Sequence, residues 1–296
     1  MSARTDDQMV RLARSCWGAL ESLHVIGYFA VETAQAYEAI GLRSRTGYFA
    51  SRSAAMGPVT APMTQATFYV FAPRTVEAAL PAAWSVATPD AVTQARRQGV
   101  EAALHRILDP VLVEASIDEA VGLARTATEG LTPGGRVLYA AHSALTWPTA
   151  PLLQLWHAAT LIREHRGDGH VNALLHADVA PLEALVISGI ASGNTAFLRE
   201  RRGWTGDEWT ATRASLAEQG LLVSALDTTS GAATDTLSPA GQELRSGLEQ
   251  QTDRAAVEGW AHLGADGSRR LLDLVAPLRD AMLAAPDLPE WIGKRR

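Results

Sequence analysis

Residues 204–223 read WTGDEWTATRASLAEQGLLV, and residues 234–253 read TDTLSPAGQELRSGLEQQTD. In the first stretch Thr205 and Glu208 have capping-box spacing: a hydroxyl that accepts from the third backbone N–H, and a carboxylate that reaches back. The helix they open runs to Gln219, and Gly220 stops it. Leu221 to Leu226 and Thr234 to Leu237 read as two short strands around a loop rich in Ser, Thr and Gly. Ser238-Pro239 then caps a helix to about Gly259, with proline where its missing N–H costs nothing. Upstream, Asn194 to Arg201 is short and helical.

Helix, helix, strand, loop, strand, helix is the order of a winged helix-turn-helix. The remainder of the 296 residues is also helical in pattern, because alanine is abundant and Leu and Val recur every three or four residues. Helices are expected at Val10–Leu20, Glu32–Ile40 with Gly41 beyond it, Arg74–Trp84 broken by Pro81, and Thr88 to about Leu108. Others are expected from Ser116 to about Thr128, Gly135–Ala144 and Thr149–His165. The expected fold is mostly α: a helical domain at 1–190, then a winged-helix domain at 191–296 with a small β-hairpin and C-terminal helices.

The segment from Glu208 to Asp253 resembles the recognition helix, wing and following helix of MarR-type regulators. More broadly, GYFASRSAAMGPV, TFYVFAP, LWHAATLIREHRGDGHVNALL and RGWTGDEW resemble an actinobacterial family of about this length, described as helix-turn-helix or winged-helix proteins. That resemblance implies architecture and little chemistry.

Charge tests the DNA-binding role that a winged helix implies, since phosphate contacts need Lys or Arg. Between Thr195 and Arg254 there are six Arg and no Lys against nine Asp and Glu. Asp207 and Glu208 open the recognition helix with the wrong sign for phosphates. Only Arg199, Arg201 and Arg202 form a basic cluster. With a net charge of −6 over the whole chain, nucleic acid is not an expected partner. The winged helix then reads as a packing or dimerisation module, and a homodimer is expected. One cysteine, Cys16, excludes an internal disulfide, and its apolar neighbours mark it as a buried thiol. No run of 18 apolar residues and no signal-peptide core are present, so a bacterial cytoplasm is expected, with no membrane partner.

The richest chemical text is Trp156-His157-Ala-Ala-Thr160-Leu-Ile-Arg163-Glu164-His165-Arg166-Gly167-Asp168-Gly169-His170. Gly167 and Gly169 are expected to end the helix, gathering His165, Asp168 and His170 at its C-terminus. A His and a carboxylate within hydrogen-bond reach make an acid/base pair near neutral pH. His165, Glu164, His170 and Asp168 are therefore the candidate catalytic residues, and Arg163 a candidate anion clamp. A metal held by these residues, or a helix end tied down by Arg–carboxylate bonds, are the competing readings; the spacing fits no metal signature. A second candidate wall lies in the irregular aromatic stretch 47–73, where Tyr48, Arg52, Met56 and Tyr69 would face a ligand while Phe49, Phe68 and Phe71 pack. His157 completes the candidate binding set. His24 reads as a satisfied buried histidine.

The sequence carries no Gly-x-Ser-x-Gly elbow, no phosphate loop and no dinucleotide fingerprint, and its one lysine is Lys294. The leading expectation is a small-molecule-binding protein, with an acid/base enzyme of specialised metabolism (isomerase, lyase or cyclase type) as its catalytic form. No cofactor is expected, with metal and haem left open. The alternatives are a ligand-responsive MarR-like transcriptional regulator and a protein that sequesters a metabolite without turnover.

Overall fold

A computed structural model describes residues 3–224, 234–289 and 292. The loop half of the expected hairpin, including Ala225 and Leu226, and Lys294 lie outside these residues. The chain is mostly helical among the described residues, with one antiparallel pair of strands, Leu222–Val223 and Thr236–Leu237, in which Leu222 faces Leu237. It divides into two units, each discontinuous in sequence. The first comprises Met1–Thr60, Ala79–Gly169 and Asp253–Arg296; the second comprises Ala61–Ala78 and His170–Thr252. The boundary expected at residue 190 falls inside the second unit.

In the first unit the helices Ala3–Phe29, Pro110–Glu129 and Glu258–Ala284 pack together, and Pro151–His176 contributes Leu152, Leu155, Trp156, Ala159 and Ile162 to the same core. The last of the three packing helices is broken at Gly264, whose φ is +82°. Helix Pro89–Ile107 begins as expected: Thr88 accepts from the Ala91 N–H at 3.2 Å and proline takes the first position. The helix expected from Ser116 instead begins at Pro110, because Asp109 accepts from the Val111 N–H at 2.8 Å. Ser116 lies inside that helix and donates to the Leu112 carbonyl. Cys16 is buried, and burial pushes its thiol up to about 12, so it stays protonated.

Two expectations fail for identifiable reasons. The stretch 47–73 is irregular only in part, at residues 57–60 and 68–72: Ser44–Ser53 is a helix, followed by a 3₁₀ turn at Ala54–Met56 and a further helix at Ala61–Thr67. Phe49, Ala50, Ser53 and Ala54 supply its buried side, so Tyr48 and Phe49 belong to a helix while Phe68, Tyr69 and Phe71 lie in the turn after Thr67. The second failure is at Gly167 and Gly169, which do not end a helix; Pro151–His176 continues through both. Gly169 makes room instead: an added Cβ would stand 2.6 Å from Arg136 Nη1. That guanidinium donates to the carbonyls of His165 and Ala255. A glycine needed for close packing looks in sequence like a helix stop.

In the second unit Thr195–Arg202 and Gly206–Glu218 are separated by Gly203, at φ +75°. Thr205 and Glu208 form the expected capping box, and Gly220 follows the second helix at φ +73°. Ala173, Leu185, Val186, Trp209, Leu216 and Leu222 share the core of this unit.

Helix Val31–Ala39 crosses Pro89–Ile107 at Gly99, where an added Cβ would stand 2.5 Å from Thr33 Cα and 2.9 Å from the Glu32 carbonyl oxygen. Both neighbours are backbone and cannot swing away. Gly99→Ala should therefore cost about 1–3 kcal/mol of stability in denaturant unfolding. Gly122→Ala, on an exposed helix face with nothing within 4 Å, should be neutral or stabilise by up to about 1 kcal/mol. Equal effects of the two would contradict this packing.

Candidate functional site

A carboxylate occupies the middle of the core helix of the first unit. Glu164 is 1% exposed, accepts from Arg163 Nη1 at 2.6 Å and stands 3.6 Å from Arg52 Nη2. Burial alone would raise its pKa, but the guanidiniums of Arg163 and Arg52 outweigh it and hold the carboxyl well below its usual range. Arg52 in turn donates to the Tyr48 hydroxyl at 3.0 Å and lies over the rings of Tyr28 and Tyr48, 5.4 and 5.7 Å from their centroids. Tyr48, Arg52 and Glu164, named from two distant parts of the sequence, thus form one connected group.

His24 adjoins that group and is fully satisfied. Thr160 donates to the Trp156 carbonyl, so its oxygen accepts from His24 Nδ1 at 3.1 Å, and His24 Nε2 accepts from the Tyr28 hydroxyl at 2.6 Å. One proton on Nδ1 satisfies every contact. Burial then pushes the imidazole well below its ordinary pKa.

Beside this network is a small cavity whose buried wall is Ser51, Arg96, His142, Trp156 and His157. Half-buried Ala55, Thr93, Arg97 and Leu145 form the rest of its lining. The cavity has room for about one solvent-sized group. Arg96 is 3% exposed; one of its nitrogens donates to the Ser51 carbonyl at 3.3 Å, while Nε and Nη2 have no partner. Trp156 and Tyr28 lie against its guanidinium, 5.0 and 5.7 Å from the ring centroids. The Nε2 atoms of His142 and His157 are likewise buried without partners. Burial lowers His142 to about 3 and His157 to about 4, with nearby arginines adding to both shifts and Glu164 opposing the one on His142. Trp147 stands edge-on to His157 at 4.7 Å and carries Arg125 over its ring, 4.2 Å from the centroid.

The remaining candidates are placed elsewhere. His165 turns to Glu258, 3.0 Å from Nε2 to Oε1, and packs edge-on against Tyr139. Asp168 accepts from the Tyr139 N–H at 3.0 Å, and burial raises its pKa to about 6. His170 belongs to the second unit, where its Nδ1 is 2.9 Å from Thr252 Oγ1. Tyr69 is also in the second unit and donates to the Val179 carbonyl at 2.8 Å. Met56 is half-buried and does not line the cavity. Of the candidate catalytic set, Glu164 and His165 are neighbours in sequence with separate partners. Their side chains leave one helix in different directions, as successive helical positions must. Among the described residues no three His, Cys, Asp or Glu side chains gather as metal ligands would.

Arg96 was missed. Its signal is a charge inside an apolar stripe: Val92, Arg96, Gly99, Val100 and Ala103 follow the three- and four-residue spacing of a buried helix face, and all are buried.

In the second unit the side chains exposed along Gly206–Glu218 include Asp207, Thr210, Ser215 and Glu218. Glu208 is engaged by Arg74 through both carboxylate oxygens, and Arg213 is paired with Asp235. Arg202 lies over Phe71, and Trp204 donates to the Val70 carbonyl at 3.0 Å.

Four buried imidazoles, His24, His142, His157 and His165, have folded pKa values below the ordinary 6.5. The unfolded chain then binds more protons than the folded one as pH falls below about 6.5, so stability must fall with it. Asp168 acts in the opposite sense, since its raised pKa lets the folded state take a proton first. Urea unfolding should show a net loss between pH 7 and 5, with about 2 kcal/mol from each histidine. The slope should lessen in His142→Gln and His157→Gln. A flat profile over that range would contradict the neutral burial of these rings.

Comparison with known proteins places this geometry in a family. No curated protein and no solved structure matches the chain. A helix-turn-helix family matches residues 13–289. The match takes in the helical residues around the cavity as well as the helix pair after Asn194, and the chain belongs to that helix-turn-helix family.

Proposed function

We propose that the protein binds a small molecule in the cavity of its first unit, and that its helix-turn-helix segment, winged by the short hairpin, serves packing or dimerisation. The observation that carries this reading is Arg96. A guanidinium buried with two N–H groups unpartnered is a standing free-energy cost, about 1–3 kcal/mol for each unsatisfied group, that an occupant would relieve. Such costs gather at functional sites, where binding repays them. The buried imidazoles His142 and His157 add two further unpartnered nitrogens to the same lining.

Binding is favoured over proton transfer. An acid/base enzyme of the isomerase, lyase or cyclase type works best with a group titrating near the operating pH. Values of about 3 and 4 leave His142 and His157 weak bases, suited to holding an occupant by hydrogen bonds. Glu164 is paired with two arginines and remains an anion, which fits a positioning role for Arg52.

The helix-turn-helix family match supports a second reading, a DNA-binding regulator, to which the ligand response and the homodimer would be our additions. The charges weigh against it, since the exposed side of Gly206–Glu218 carries Asp207 and Glu218 and no arginine. A polyanion docking there would meet repulsion.

Thermal-shift screening of a metabolite library against the intact protein tests the first reading. Ligands should raise the melting temperature, and Thr93→Tyr, which plugs the cavity lining, should weaken them at least tenfold while leaving the unliganded melting temperature within a few degrees. Ligands indifferent to the plug, or none at all, would refute it. In mobility-shift titrations below 100 mM salt, random duplex DNA should not be retarded. Retardation that weakens steeply with salt and is lost on neutralising Arg199, Arg201 and Arg202 would establish the regulator instead.

A further inference from the structure

We infer that the cavity beside Arg96 is an anion site, built to seat the carboxylate of a small organic acid. This inference rests on the small-molecule reading above and adds the chemistry of the occupant.

The local charges set the sign. Arg96 and Arg97 both line the cavity, and no carboxylate does. Among the described residues neither arginine forms an ion pair; Arg97 spends one nitrogen on the Thr146 carbonyl at 2.6 Å, and Arg96 spends one on Ser51. Glu164 is the nearest acid acting on His142, and it is already held by Arg163 and Arg52. Elsewhere in the first unit buried guanidiniums are compensated: Arg166 meets Asp253 at 2.6 Å, and Arg136 meets two carbonyls with Glu258 at 3.9 Å. Arg96 departs from that rule: it lines the cavity, has no acidic partner, and its Nε and Nη2 make no hydrogen bond.

Shape narrows the class further. Arg96 presents Nε and Nη2, two donors on one edge of a planar fork, the geometry that holds a carboxylate through two parallel hydrogen bonds. The enclosed room is that of about one solvent-sized group, so the lining must give way slightly for a carboxylate and could not do so for a bulky body. The body would lie toward half-buried Ala55, Thr93 and Leu145, two of which are apolar. His142 and His157 can each offer an Nε2 proton to the same head group, because a neutral imidazole chooses its tautomer to suit its partner. A cation would be repelled by two guanidiniums. A neutral amide would leave their charge uncompensated.

Saturation-transfer NMR on the intact protein with acetate, nitrate and acetamide tests this. Acetate should bind saturably, and acetamide, its neutral isostere, at least tenfold more weakly. Nitrate binding as tightly as acetate would make the site one for inorganic oxyanions and would overturn the organic-acid assignment. Arg96→Lys, which keeps the charge but loses the fork, should weaken acetate at least tenfold; Arg97→Gln should weaken it only severalfold. Should Arg96→Lys fail to fold, His157→Phe provides the second variant, with a severalfold loss expected. Acetate binding unchanged in the folded variants would overturn the proposal. If acetamide binds as well as acetate, or library ligands sensitive to Thr93→Tyr prove uncharged, the anion assignment falls while the binding reading stands. If no compound of any charge binds, both fall.

Discussion

An ionised carboxylate in the middle of a core helix is the constraint around which the first unit is arranged. Glu164 lies among Trp156, Ala159, Thr160 and Ile162, where an unpaired charge would cost several kcal/mol. It is tolerated because Arg163 and Arg52 hold it from two elements. Arg52 must then be carried to it by the helix Ser44–Ser53, which explains why a stretch rich in aromatic and glycine residues folds as a helix at all. Tyr28 and Tyr48 lie under the same guanidinium, and His24 and Thr160 complete the polar seam. Each member fixes the rotamer of the next, and a network of this kind is rigid only when all its members are satisfied.

That seam gives Glu164 two arginine partners, although its Oε1, 3.6 Å from Arg52 Nη2, makes no hydrogen bond. Arg96 borders it through Tyr28 and Trp156 yet has only a backbone carbonyl for its own hydrogen bonds. Arg136 and Arg166 meet carbonyls or a carboxylate of the chain; for Arg96, beside two neutral imidazoles, the partner we propose is the occupant of the cavity. The helix-turn-helix segment belongs to the other unit and spends its charges locally, on Arg74–Glu208 and Arg213–Asp235.

Several helix ends were legible from local chemistry, though the Asp109 cap was passed over for a capping-box spacing at Ser116. Thr88-Pro89, Thr205 with Glu208, and Gly220 each act through atoms within one turn, and the short hairpin followed from Leu, Thr and a turn-rich loop. Glycine was the weak point. Gly41, Gly203 and Gly220 adopt positive φ at helix ends, whereas Gly99 and Gly169 are helical and serve partners distant in sequence. Both kinds are the same letter. Part of the candidate set was legible: Tyr48, Arg52 and Glu164 were chosen because polar residues cluster there, and the fold joins these three, while His157 lines the cavity instead. His165, Asp168 and His170 share that sequence cluster but turn to Glu258, Tyr139 and Thr252, since a continuous helix disperses its neighbours around the axis. Arg96 escaped notice because its neighbours in sequence are ordinary; only its place on an apolar stripe distinguishes it.

The direct measurement of the central claim is a crystal structure of the protein grown in sodium bromide, an anion that anomalous scattering locates without ambiguity. A bromide in hydrogen-bond contact with Arg96 Nε or Nη2 and with an imidazole of His142 or His157 is the result expected. A cavity free of anion, with the Arg96 guanidinium turned onto a carboxylate or carbonyl of its own chain, would contradict it.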